Sequence, residues 1–384
     1  MQIQQVVAPP KPPRSIRLAP TINPQDSDIY VHPHLTADTD PCKGRLLRTS
    51  APIPAGTILL RDAPYAIVPT VTSTPSGDDC SSLICSNFMC SRRVESTKGV
   101  KCPKNCDRDV LWCNDTCRAT DHRRHEFECL WLRRMGQTMR RHESDYDFVT
   151  LWHVVRLLAG WSLEFQGADL KNARCRYPRD DMFKRGWESV LLCCDYLDSW
   201  PESQIKHWTR LCETYMNDKS LVPCPLSPAE MLSLVCKEET NTFGLYPGVT
   251  GPVCMADHPV PRGESYGLGL YPRAAMFNHS CQPNVSPHQL SRGGFPCHAN
   301  MSFVVQVSHK PDPQGRMVLS AARDIAKGEE CMITYFDLTA HRDLSSRQDM
   351  TQVQFRFRCT CDRCLDEEAQ ENLEGMDTLP FCDF

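Results

Sequence analysis

Two stretches of the chain gather groups able to do chemistry. Asn278-His279-Ser280-Cys281-Gln282-Pro283-Asn284 crowds amides, an imidazole, a hydroxyl, a thiol and a ring-locked proline into seven residues. A strand would alternate apolar and polar positions, so this segment reads as a turn whose donors and acceptors face a ligand. Further on, Gly328-Glu329-Glu330-Cys331-Met332-Ile333-Thr334-Tyr335 reads as a glycine turn, two acids and a strand-like run ending in a phenol.

A second chemistry is carried by thiols. The chain has 23 cysteines, and they cluster, which with an interleaved histidine points to metal rather than disulfides. Cys85 and Cys90 are followed by Cys102 and Cys106, then Cys113 and Cys117, then His125 and Cys129. Eight soft ligands in four pairs are enough for two tetrahedral zinc sites with no open position, a structural rather than catalytic arrangement. His125 and Cys129, four residues apart, share one face of a helix. The first two pairs are spaced more widely than usual, which leaves Cys80 and His122 as competing ligands. Phe355-Arg356-Phe357-Arg358-Cys359-Thr360-Cys361-Asp362-Arg363-Cys364 supplies three more thiolates behind two aromatics. Three make an incomplete site, so a fourth ligand must come from elsewhere.

Asn-His-Ser-Cys-x-Pro-Asn followed by Gly-Glu-Glu-x-x-Ile-x-Tyr resembles the SET domain of protein lysine methyltransferases. The cysteine stretch 80–129 resembles the MYND zinc finger, and the order of the parts resembles the SET and MYND group. That resemblance implies an α+β fold: short SET sheets, an inserted finger, a helical insert and a zinc-binding tail. It implies a protein-lysine N-methyltransferase, of histone or non-histone substrates, using S-adenosyl-L-methionine and three structural zinc ions. Cross-bracing would give Cys85, Cys90, Cys113 and Cys117 to one zinc, and Cys102, Cys106, His125 and Cys129 to another. Cys281 would complete the third with Cys359, Cys361 and Cys364. Tyr335 would be catalytic; Gly44, Arg45, Asn241, Asn278, His279, Tyr335 and Phe357 would meet the cofactor, and Phe355 and Phe357 would wall the lysine channel. One departure stands out: Leu46 occupies the family's second glycine in the Gly-x-Gly-Leu loop, and a plain hairpin is the other reading of that segment. An interaction scaffold with an inactive SET fold is the alternative function.

The elements expected to position these residues follow in order. Residues 1–28 read as a disordered proline-rich arm. Residues 29–79 form the N-terminal SET segment, with strand, Pro-Gly turn and strand over Gly44 to Leu60. The finger spans 80–129 and a helical insert 130–240. A helix from Arg118 to Arg141 holds seven arginines, expected to form a solvated face. Periodic apolar positions at Leu151, Val154, Val155 and Leu158, and at Val190, Leu191, Cys194 and Leu197, predict helices. The core SET segment covers 241–345, with strands over Ser302 to Val307 and Arg316 to Ala321. A post-SET zinc segment spans 346–366 and an acidic tail 367–384. The large C-terminal helical domain of several SET and MYND proteins is expected to be missing.

Composition agrees with a folded chain, at 384 residues, 41% hydrophobic and 23% charged. A formal charge of -4 gives no global signal for nucleic acid. No apolar run approaches the roughly 20 residues that span a bilayer, and the start lacks an apolar export signal. A nuclear or cytoplasmic monomer is expected, with a protein substrate and a proline-rich peptide as a partner for the finger.

Overall fold

The computed structural model describes residues 29–70, 82–90, 92–165, 183–184, 186–246, 265–283, 285–287, 316–338 and 340–377. The arm, Cys80 and the strand expected at Ser302 to Val307 lie outside these residues.

Short sheets and helices are segregated, the α+β arrangement the sequence implied. One antiparallel sheet runs in the order Tyr30–Val31, Ile58–Asp62, Met317–Ala321, Val285–Pro287. A second joins Thr242–Leu245, Gly267–Leu270 and Ala66–Pro69. Gly44–Thr49 forms an antiparallel hairpin with the preceding strand Leu35–Asp40 rather than across the Pro-Gly turn with Ile58–Asp62. The intervening Pro-Gly turn exists, with Thr57 N–H donating to Pro54 O, but Ile53 bridges to Ile325 instead. Buried Leu47, Leu59 and Leu60 meet Tyr271, Phe277 and Ile333 in the core between these sheets.

Helices form the other half. They are α1 (Asp115–Trp131), α2 (Gln137–His142), α3 (Asp145–Phe165), α4 (Gly186–Leu191), α5 (Glu202–Tyr215) and α6 (Pro228–Asn241), then α7 (Leu344–Phe355) and α8 (Asp362–Asp377) near the C-terminus. Asn114 caps α1 by accepting from Cys117 N–H, and Ser227 with Glu230 makes a capping box before Pro228 on α6. Residues 147–159 of α3 are all buried, and Trp131, Phe148 and Trp152 stack across the α1–α3 contact.

Three expectations need correction here. The Arg118 to Arg141 stretch is helical throughout, with one π-turn at Leu132–Gly136, but its arginines are not one solvated face. Arg124 is buried against Asp121, and Arg140 pairs with Asp107 and Asp109. The period through Val190 to Leu197 fails: α4 stops at Leu191, which is 53% exposed, and Cys194 lies in the following loop. The run to Tyr335 is strand only at Met332–Ile333. The acidic tail, for which no element was expected, is helical as far as Asp377, and Glu367 pairs with Arg347 and Arg363. Among the described residues no helix is long and apolar enough to cross a membrane.

Candidate active site and metal centres

The Asn278 segment begins as strand rather than turn. Asn278–His279 pairs in parallel with Met332–Ile333, and Ser280 N–H donates to Ile333 O. The two stretches singled out by their side chains therefore lie side by side. Ahead of them, the turn at Ala274–Met276 is set by a buried ion pair. Arg273 Nε donates to Asp62 Oδ1 at 2.7 Å, while the Arg273 and Ala274 N–H groups donate to Oδ2. That pair was not foreseen; an arginine beside an otherwise apolar Gly-Leu-Tyr-Pro run was its signal.

Asn278 Nδ2 donates to Arg45 O and to Glu330 Oε1, each at 3.0 Å. Both amide hydrogens thus tie the Gly44-Arg45 loop to the central strands, and Lys43 Nζ holds the same carboxylate at 2.7 Å. Gly44 takes φ +72°, open to glycine and strained for other residues. Leu46 is fully buried, while Gly44 and Arg45 face the cleft.

His279, expected at the cofactor, lines the cleft, and both its ring nitrogens are engaged. Nδ1 accepts from Tyr335 N–H at 3.1 Å, which leaves the proton on Nε2, 3.4 Å from Cys281 Sγ. The ring links the tyrosine backbone to a cysteine cluster. Tyr335 Oη donates to Phe277 O at 2.9 Å. Burial pushes its phenol well above the ordinary range, with Tyr196 and Cys194 adding to the shift. The Phe355 and Phe357 rings stand 5.1 and 6.3 Å from that of Tyr335.

Asn241 ends α6, and its Nδ2 donates to Cys194 O and Lys237 O. Its amide nitrogen therefore clamps the Cys194 loop, and only Oδ1 is left for a ligand. Tyr196 was missed, and Cys194 was expected on a helix because its spacing from Val190 and Leu191 fits a helical period, whereas it lies in the loop after α4. Arg45 Nη2 donates to Cys194 Sγ at 3.8 Å. All the residues named for cofactor and lysine, from Gly44 to Phe357, line one cleft of about 1300 Å³.

Three groups of four ligand atoms each lie within 4.8 Å of one another: Cys85, Cys90, Cys113, Cys117; Cys102, Cys106, His125, Cys129; Cys281, Cys359, Cys361, Cys364. With Zn–S bonds of about 2.3 Å, two ligands of a tetrahedron stand about 3.8 Å apart. The observed separations fit: Cys90–Cys113 3.6 Å, Cys102–Cys129 3.8 Å and Cys281–Cys359 3.9 Å. The cysteines of the described residues are free rather than disulfide-bonded. These sets could each hold a zinc ion. His122 lies outside them, exposed beside Glu126.

The SET domain family model matches residues 44–336. The chain belongs to the SET domain family. It is 22% identical over 365 residues to a SET and MYND domain-containing protein of Dictyostelium discoideum, covering 89% of this chain and 60% of that protein. It is 23% identical over 358 residues to the histone-lysine N-methyltransferase ASHR2 of Arabidopsis thaliana, covering 87% and 75%. A finger inside the SET match fits the SET and MYND arrangement. A solved SET domain of LSMT, bound to lysine and AdoHcy, superposes with a TM-score of 0.30 at 11% identity, over 81% of this chain and 51% of that one. A superposition that loose assigns no residue a role. The chain spans 60% of the first relative's length.

Proposed function

We propose that this chain is a protein-lysine N-methyltransferase that uses S-adenosylmethionine, with zinc in its three cysteine clusters. The reading is carried by one observation: a half-buried tyrosine hydroxyl, two aromatic walls and the Asn278 loop converge on one cleft. The donor set suits such a cofactor, offering the Arg45 guanidinium, the Asn241 Oδ1 and the rings of Phe243 and Phe357. When bound, S-adenosylmethionine supplies a methyl group on a sulfonium.

The chain's own residues then have three tasks. A lysine amine must lose its proton to attack, and its ordinary pKa is near 10.4; Phe355 and Phe357 favour the neutral amine by excluding water. Tyr335 stays protonated, since burial raises its phenol, so it serves as an orienting hydroxyl rather than a base. Its proton is held by Phe277 O, and its lone pairs are left to the amine and the methyl hydrogens. Alignment of this kind is worth several kcal/mol. The zinc clusters do no chemistry and fix loops that have little core of their own.

The test is mass spectrometry of a cell lysate incubated with S-adenosylmethionine and the protein. Lysines should gain methyl groups with the parent chain, and Tyr335→Phe should remove most turnover while cofactor affinity stays within about threefold. A Tyr335→Phe chain working at the parent rate would remove Tyr335 from the mechanism. Binding of S-adenosylmethionine without methylation of any lysine would leave the scaffold reading. Nuclear or cytosolic conditions would keep the thiolates reduced, as the zinc sites require.

A further inference from the structure

Resting on that reading, the cleft rim has a feature that neither cofactor nor lysine explains. Arg356, between Phe355 and Phe357, closes α7 in the left-handed region at φ +64°. Its N–H donates to Thr351 O, the kind of helix end at which glycine or asparagine is usual. A side chain with a Cβ is strained there, so a residue that is neither calls for a reason.

The guanidinium supplies one. It lies 4.2 Å over the Trp200 ring and lines the cleft. Trp200 is itself fixed, its Nε1 donating to Asp195 O at 3.0 Å and its ring edge-on to Trp208 at 4.8 Å. Among the described residues no acceptor takes a hydrogen bond from the Arg356 guanidinium, and its Nε is buried without a partner. Other cations of the same cleft are spoken for. Lys43 pairs with Glu330, Arg323 with Glu329 and Arg358 with Glu368, while Arg45 donates to Cys194. Arg356 therefore presents a stacked, pre-oriented fork with no anion of its own. A fork of this shape matches a carboxylate or phosphate bidentately.

We propose that Arg356 is a specificity-determining residue, reading an acidic side chain that flanks the target lysine of an acidic peptide substrate. Its neighbours Phe355 and Phe357 pack on Tyr335, on the lysine side of the cleft.

The test uses lysine peptides identical except for Asp or Asn at each flanking position, with kcat and KM measured for the parent, R356N and R356K. Asparagine tolerates the left-handed backbone, so R356N should keep the fold, which a melting curve checks. In the parent the best Asp peptide should exceed its Asn partner by about tenfold in kcat/KM, the gain lying in KM. R356N should bring that ratio near one and R356K should fall between, a lysine lacking the planar fork. A parent without preference, or a ratio that persists in R356N, overturns the proposal. If R356N weakens S-adenosylmethionine binding and keeps the ratio, the anion is the cofactor's carboxylate and the proposal is wrong. Should the parent methylate no peptide at all, the methyltransferase reading fails instead. Fluorescence anisotropy of the same peptides on parent and R356N then still reads the anion preference.

Discussion

The inner finger cluster and the tail cluster have nearly the same ligands and opposite surroundings. His125 Nδ1 of the finger meets Glu128 Oε1 at 2.9 Å, and Glu128 is fully buried. Its other oxygen accepts from Trp152 Nε1 and Arg156 Nε, and Arg156 Nη1 reaches Ile67 O at 2.6 Å. A metal ligand is thus wired through charge into α3 and the strand Ala66–Pro69. Burial alone would raise the Glu128 carboxyl, but Arg156 and Arg124 hold it well below the carboxylate range. The tail cluster's ion pairs stay within its own segment: Arg363 and buried Arg347 both pair with Glu367, and Arg363 Nη1 donates to Cys281 O. Cys281 comes from the central loop and its three partners from the chain after α7, around a small core of Phe336, Leu338 and Leu344. What it touches is the cleft, through His279 and Phe357. One cluster fastens the finger to the core; the other borders the cleft.

Breaking each should therefore fail differently. The largest effect on transfer is expected from Cys364→Ser, which opens the tail site. Methyl transfer should drop by about a hundredfold as Tyr335 and Phe357 lose register, read as initial rate on a lysine peptide. Glu128→Ala should spare the cleft but strand the buried Arg156 charge, at about 3–5 kcal/mol of stability. Urea melts report that cost. The smallest effect concerns the far end of the cleft, where Tyr146 and Thr150 donate to Glu239. Burial, then the Glu238 charge, pushes Glu239 from 4.5 up to about 8. The folded chain holds a proton that the unfolded chain releases between those values, so this group's contribution to stability falls as pH rises through the window. Glu239→Gln should remove that slope, and melting temperature against pH checks it.

The same contrast separates what could be read in the sequence from what could not. The clustered thiols and imidazole by themselves showed only that metal sites exist; the ligand sets were legible through the resemblance, which supplied the cross-bracing and named Cys281, 78 positions before Cys359. Helices such as α3 were legible where the apolar period is strong. Pairings between distant segments were not: nothing local announces that Asn278–His279 runs parallel to Met332–Ile333, or that Asp62 meets Arg273. Side-chain direction was also hidden. Asn278 and His279 were read as facing a ligand, yet the Asn278 amide hydrogens and both ring nitrogens bind the protein itself. Their polarity reflects how tightly the loop is held as much as what it holds.

Calorimetric titration of S-adenosylmethionine into the parent, Cys364→Ser and Glu128→Ala chains, at a temperature where all three remain folded, puts the division of labour to its most direct trial. Expected is micromolar binding to the parent and to Glu128→Ala, with Cys364→Ser weaker by more than about tenfold. Equal affinity in parent and Cys364→Ser, with zinc analysis showing the tail site empty in the variant, would contradict it.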